Sequence, residues 1–264
     1  MKIKFIGVGS AFTTPEYYQS NLLITARSGK KLLVDCGTDA RFSLGECINK
    51  RNPCREIDAI YISHLHSDHI GGLEWMAFET YFDPDRERPM LFMEENTMRE
   101  MWKCSLKGGL GCIEGKVMHL TDYFNCRPVA SDGFFEWEGI RFILMKMPHV
   151  ITGYKNFYSY GLFMEEIRLQ KTRNNSKVFF TTDTQFRPDL ISKIAEKASV
   201  IFHDCETNPH KSDVHAHYDD LCTLPFSLRR KIWLYHYQPF PKVKPEDNGF
   251  KGFVVKGQEF DFSV

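Results

Sequence analysis

The sequence predicts an α/β fold in a single domain over residues 1–264, on three observations. Strand-length apolar runs recur along the chain, stretches of helical spacing lie between several of them, and no repeat, low-complexity tract or Pro/Ser-rich linker divides it. At 264 residues with 42% hydrophobic side chains, the chain is long enough to bury one large core.

In order, "IKFIGVG", "NLLITA" and "KLLVDCG" read as strands, each a short apolar run next to a turn residue. A helical stretch around Asp39 to Asn49 follows, then the buried-type strand "IDAIYIS". "GGLEWMAFETYF" opens a helix, "PMLFME" is a strand, and "ENTMREMWKCSL" has helical spacing before a loop, "KGGLG". The second half offers "IRFILMKMPH", "YSYGLFMEE" and "KVFFTTDT" as strands, a helix near Pro188 to Lys197, and the strands "SVIFHDCE" and "KIWLYHY". Residues 150 to 177 read as a short strand pair with a polar turn at "TRNNSK". Three strands are expected to end at His149, Asp183 and His236, and open sheets place functional side chains beyond strand ends, where rigid backbone fixes them.

Lys plus Arg and Asp plus Glu both count 34, so there is no bulk attraction to nucleic acid or an anionic membrane. No signal-peptide pattern or apolar window of membrane-spanning length occurs, which predicts a cytoplasmic protein without a membrane partner. The eight cysteines include no CxxC pair and read as reduced, mostly structural thiols; a bridge or metal at Cys104 and Cys112 is the weaker reading.

The chemistry concentrates in "IYISHLHSDHIGG", where His64, His66, Asp68 and His69 fall within six positions after an apolar run. Neutral imidazole and ionised carboxylate are good ligands for zinc and related divalent ions. His64 and His66 face one way and Asp68 and His69 follow after a turn, so the segment can serve two adjacent ions. His149, His236 and a bridging Asp183 can complete a dinuclear centre. Other motifs fail. "GVGSAF" has Phe12 where a dinucleotide loop needs its third glycine, and neither a GxxxxGK[ST] loop nor a GxSxG elbow is present. Asp35 is better placed to support a ligand than to act as a nucleophile.

The HxHxDH pattern of His64, His66, Asp68 and His69 resembles the signature of the metallo-β-lactamase superfamily. "FIGVGSAFTT", "LLVDCG", "MPH", "TTDT" and "LYHYQ" follow that family's order over most of the chain. The resemblance implies an αββα sandwich with two Zn2+ per subunit, Mn2+ or another divalent ion being an alternative. One ion would take His64, His66 and His149 and the other Asp68, His69 and His236, with Asp183 bridging. "FHDCETNPHKSDVHAHYDDL" is similar to a segment of the phosphodiesterase branch, whose proton donor matches His215, with His217 a weaker candidate and Asp204 as its orienting carboxylate. Glu206 and His217 also suit ordinary capping roles.

RNase Z, in the same branch, carries a long tRNA-clamping arm with no counterpart here, and the clearest basic run is only "SLRRK". A small phosphodiester is the better substrate, and the stretches "VGSAFTTPEYYQSNLL", "CGTDARFS" and "VHAHYDDL" resemble phage anti-Pycsar phosphodiesterases. That resemblance implies hydrolysis of 3′,5′-cyclic mononucleotides, a homodimer and no stable nucleic-acid partner. The loop 105–115 would suit a reach into a neighbouring active site, and Tyr17, Tyr18 and Tyr154 would suit stacking on a base. In the implied reaction Asp68 orients the attacking water and protonated His215 serves the leaving oxygen. The alternatives are an RNase Z-like endonuclease, a thiolester or lactam hydrolase on the same metals, and a non-catalytic nucleotide sponge.

Overall fold

The computed structural model describes residues 1–48, 52–167 and 176–263. The first part of the chain contributes β1 (Lys2–Phe5), β2 (Leu22–Thr25), β3 (Lys31–Val34), β4 (Ala59–Ile62), β5 (Met90–Glu94), a small hairpin of β6 (Cys112–Ile113) and β7 (Lys116–Val117), and β8 (Asn125–Val129). The second contributes β9 (Phe134–Trp137), β10 (Ile140–Ile151), β11 (Asn156–Glu166), β12 (Val178–Phe180), β13 (Val200–Asp204), β14 (Ile232–Tyr235) and β15 (Gly252–Phe253), and β16 (Glu259–Asp261) returns to pair with β1. Two seven-stranded sheets result, ordered β16-β1-β2-β3-β4-β5-β8 and β15-β14-β13-β12-β11-β10-β9. Each is antiparallel on one side and parallel on the other, from β3 to β8 in the first and from β12 to β15 in the second.

Strand alternation builds the layers. In β4, Ala59 and Tyr61 enter the core between the sheets, while Ile60 and Ile62 face outward onto helices. In β12 and β13, Phe180 and Phe202 point inward and Phe179 and Ile201 outward. The inner core is largely aromatic, with Phe135 stacked between Phe92 at 4.1 Å and Phe142 at 4.7 Å. Outside the first sheet lie α1 (Ala40–Ile48), the single turn α2 (Ser67–Ile70), α3 (Leu73–Tyr81), α4 (Glu95–Met101), α5 (Lys107–Leu110) and α6 (Leu120–Tyr123). Leu44, Leu73, Met76 and Met98 supply that packing. The second sheet is covered by α7 (Pro188–Lys197), α8 (Tyr218–Leu221) and α9 (Phe226–Arg229), chiefly through Ile191, Ile194 and Leu221. The molecule is an αββα sandwich.

The structure corrects three sequence expectations. "KGGLG" is not a loop: a π turn over Trp102–Leu106 runs into α5, and Leu106 and Leu110 are buried against the first sheet's helices. Gly109 is packed so closely that a Cβ there would stand 2.3 Å from the Glu74 carboxylate, so the close approach of α5 to α3 requires a glycine. His149 does not end its strand. β10 continues to Ile151, and the register shifts between Pro148, which pairs with Tyr158, and Val150, which pairs with Phe157, leaving His149 as the bulged residue. Asp183, in turn, lies three positions past β12, beyond Thr181 and Thr182. The "TRNNSK" turn falls largely outside the described residues, as does Asn49 at the expected end of α1. All eight cysteines are free thiols, Cys104 and Cys112 included.

Candidate functional site

Apart from His149, the candidate ligands sit past the C-terminal ends of β4, β12 and β14, on the rim where the two sheets face each other. The chain turns sharply there. Asp35, Thr182 and His236 follow β3, β12 and β14 with φ of 61°, 55° and 64°, a left-handed backbone that costs about 1–2 kcal/mol for a non-glycine residue. The surroundings hold these turns in place. The His236 amide donates to Val8 O at 2.7 Å, and Gly7 and Gly9 on either side allow the chain to cross Gln19 and Thr13, where a Cβ would be only 1.9 and 2.0 Å from their oxygens. The glycines of "GVGSAF" therefore serve chain crossing. Gly37 likewise lies against Asp68 O, at 2.3 Å from an added Cβ, and Cys36 N donates to His69 O at 2.8 Å, which fixes α2 and its ligands.

Hydrogen bonds set the imidazole tautomers. The Asp35 carboxylate accepts from Ser63 N and Ser63 Oγ, both at 2.8 Å, and from His69 Nδ1 at 2.8 Å. With its proton given to Asp35, Ser63 Oγ accepts from His64 Nδ1 at 2.9 Å, which leaves the His64 Nε2 lone pair free. His149 Nδ1 donates to Val214 O at 2.8 Å with the same result. Asp35 thus orients two ligands from different parts of the motif.

Two donor groups share Asp183. In the first, His66 Nδ1 lies 3.2 Å from His64 Nε2 and 3.0 Å from His149 Nε2, with Asp183 Oδ2 3.7 Å from both of those nitrogens. In the second, His69 Nε2 is 3.3 Å from Oδ2 of both Asp68 and Asp183, and His236 Nε2 is 3.4 Å from Asp68 Oδ2 and 3.5 Å from Asp183 Oδ1. Donors tetrahedral about one zinc stand about 3.3 Å apart, since each bond is about 2.0–2.1 Å long. The groups fit that spacing. His69 Nε2 and Asp183 Oδ1 are also buried without a hydrogen-bond partner, an expensive state that a divalent cation between them would relieve.

The electrostatics agree with a cation site. Burial pushes His64 well below the usual histidine range, His66 down to about 4 and His149 lower too, so all three are neutral imidazoles. Burial opposes charge on His69 and His236 as well, yet Asp183, together with Asp68 and Asp35 or Asp204, raises both well above the ordinary value. Asp68 and Asp183 are held well below the carboxylate range against burial by those same imidazoles. Among these residues a divalent ion would take over the charge balance that two protons otherwise supply.

Asp183, Asp204, His215 and His236 also lie close together, but Asp204 is already engaged. Its Oδ2 accepts from Thr184 N and from His215 Nδ1, each at 2.8 Å, and its Oδ1 is 3.4 Å from His236 Nδ1. Asp204 overcomes the effect of burial and raises His215 above the usual histidine value. His215 is the open end of this chain, its side chain 18% exposed against 2% or less for Asp204 and His236. His217 is turned away: its Nδ1 accepts from Asp219 N at 3.2 Å at the start of α8 and its Nε2 bonds Asn208 O at 2.8 Å, so it is a capping residue. Glu206 accepts the Ser212 amide at 2.9 Å, again a turn-stabilising role.

Tyr17 packs edge-on against Tyr237 and Phe240, Tyr18 carries the Lys256 ammonium over its ring, and Tyr154 stands fully exposed at the tip between β10 and β11. Sequence reading missed Ser63, Thr184 and Phe157. Ser63 precedes the motif directly and was legible as a partner for His64, whereas Phe157 is one of 22 phenylalanines with nothing in the sequence to single it out.

The family described as "Anti-Pycsar protein Apyc1" matches residues 1–260. An anti-Pycsar protein Apyc1 from Paenibacillus harenae is 33% identical over 242 residues, 90% of each chain. One from Bacillus phage vB_BveM-Goe7 is 31% identical over 267 residues, 98% of this chain and 97% of the other. Among solved structures, the metallo-β-lactamase fold protein YhfI from Bacillus subtilis superposes with a TM-score of 0.72 at 16% identity, over 98% of this chain and 99% of that one. The fold is the metallo-β-lactamase fold, and the chain belongs to the anti-Pycsar Apyc1 family.

Proposed function

We propose that the protein is a dinuclear-metal phosphodiesterase that hydrolyses 3′,5′-cyclic mononucleotides to nucleoside monophosphates, removing the signals of a Pycsar defence. The observation that carries this reading is His215, held by Asp204 and facing both donor groups, with its ring 5.1 Å from that of His149 and 4.8 Å from that of His236. A site that only binds needs no such partly exposed acid.

Two divalent ions, zinc first and Mn2+ as the alternative, would neutralise the phosphoryl oxygens and lower the pKa of water toward about 7. His64, His66 and His149 would hold one and Asp68, His69 and His236 the other, with Asp183 serving both. Asp68, ionised and at the edge of the second group, orients the attacking water in line with the departing ribose oxygen. His215 holds its proton at Nε2, since Nδ1 is committed to Asp204, and delivers it to that oxygen. Asp204 stabilises the charged imidazole before transfer and keeps the ring aimed. The proposal includes a homodimer working in the cytoplasm, with no stable nucleic-acid partner.

Incubation of zinc-loaded protein with cyclic CMP, UMP and AMP, a cyclic dinucleotide and a tRNA precursor tests the reading. Monophosphates should form from the cyclic mononucleotides, and His215→Ala should lower kcat by about 10²–10⁴ with metal content unchanged. Cleavage of the precursor alone would move the protein to an RNase Z-like activity, and binding without product would make it a sponge.

A further inference from the structure

The five histidines of the two donor groups are not anchored alike. His64 is held by Ser63 Oγ, His69 by Asp35 and His149 by Val214 O, while His236 faces Asp204. Among the described residues His66 has no such partner: its hydrogen-bond contacts are to His64 and His149, its fellow donors. It is also the N-cap of the single-turn helix α2, with no side-chain capping hydrogen bond. One flat surface does meet it. The Phe157 ring stacks on the His66 imidazole at 4.8 Å and 28°, and lies edge-on to His64 at 5.8 Å and tilted to His149 at 6.1 Å. Phe157 is the first β11 residue opposite the β10 bulge, paired with Val150, so the irregularity that presents His149 also sets the ring over His66.

We infer that Phe157 is the positioning residue of the three-histidine group, fixing the His66 ring by stacking where its fellow donors His64 and His149 are fixed by hydrogen bonds to Ser63 Oγ and Val214 O. The ring restrains rotation about the His66 Cβ–Cγ bond and thereby aims Nδ1 at the point shared with His64 Nε2 and His149 Nε2. It contacts none of Asp68, His69 or His236 through a ring or hydrogen bond, so its influence falls on one donor group only. The inference rests on the reading that the first group holds an ion.

The test is chelator competition for Zn2+ on the full-length protein, with Phe157→Leu, Phe157→Tyr and His66→Ala alongside and circular dichroism to confirm folding. The wild type should hold two ions. Phe157→Leu keeps apolar bulk but removes the flat face, and should weaken one ion by about 10–100-fold while leaving the other within about twofold. Phe157→Tyr should restore wild-type affinity, and adding Phe157→Leu to His66→Ala should cost nothing further, because the residue acts through His66. Unchanged affinities in Phe157→Leu, equal weakening of both ions, or full additivity with His66→Ala would each overturn the inference. A wild type that holds one ion or none would instead defeat the dinuclear reading.

Discussion

His64, His66 and His149 meet as neutral imidazoles, whereas Asp68, His69 and His236 meet among carboxylates that keep both histidines charged. The first group is ready for a cation and depends on ring orientation, supplied by Ser63, Val214 and Phe157. The second is held together by opposite charges and must release protons when a cation enters. One centre thus combines a group organised by hydrogen bonds and ring stacking with one organised by charge, and Asp183 belongs to both.

Removing the shared residue should have the largest effect. Asp183→Asn is expected to lower kcat/KM by about 10³ or more and to weaken both ions, as measured by metal content after dialysis. Asp35→Asn strikes both groups less directly, through Ser63 to His64 and through His69, and should weaken each ion by about 10–100-fold.

Proton competition separates the groups without mutation. His69 and His236 are raised and the first group's histidines depressed, so acidification from about pH 8 to about pH 6 should release the second group's ion first, in chelator competition across that range. Asp204→Asn acts on the acid. Asp204 raises His215, and the protonated form is the donor, so loss of the carboxylate charge lowers that pKa and shifts the alkaline fall of kcat to lower pH. The smallest change belongs to His217→Ala, which should cost about 0.5–1 kcal/mol in urea unfolding and leave kcat within about threefold.

The strands were legible as short apolar runs and α7 by its helical period: β4 lies within "IDAIYIS", and α7 runs over Pro188–Lys197 as its spacing predicts. The ligand residues were legible for a different reason, since four of the seven lie in one short motif. What escaped depends on contacts between distant segments. The close approach of Gly109 in α5 to Glu74 joins two distant segments, the bulge at His149 shows only when β11 is laid alongside β10, and Phe157 has meaning only once His66 is beneath it.

The bulge in β10 also governs which length changes the protein can tolerate. Met145 and Met147 pack on the outer helical layer, and strict alternation would send His149 to that same face. The extra residue turns its imidazole to the rim instead, so deleting one residue between Met145 and Val150 would rotate a ligand out of the centre while leaving the hairpin paired. The tip at Thr152–Lys155, exposed and tied mainly by Thr152 Oγ1, carries no such constraint. Loop grafts and peptide insertions belong at the tip, a few residues from a segment whose length cannot change by one.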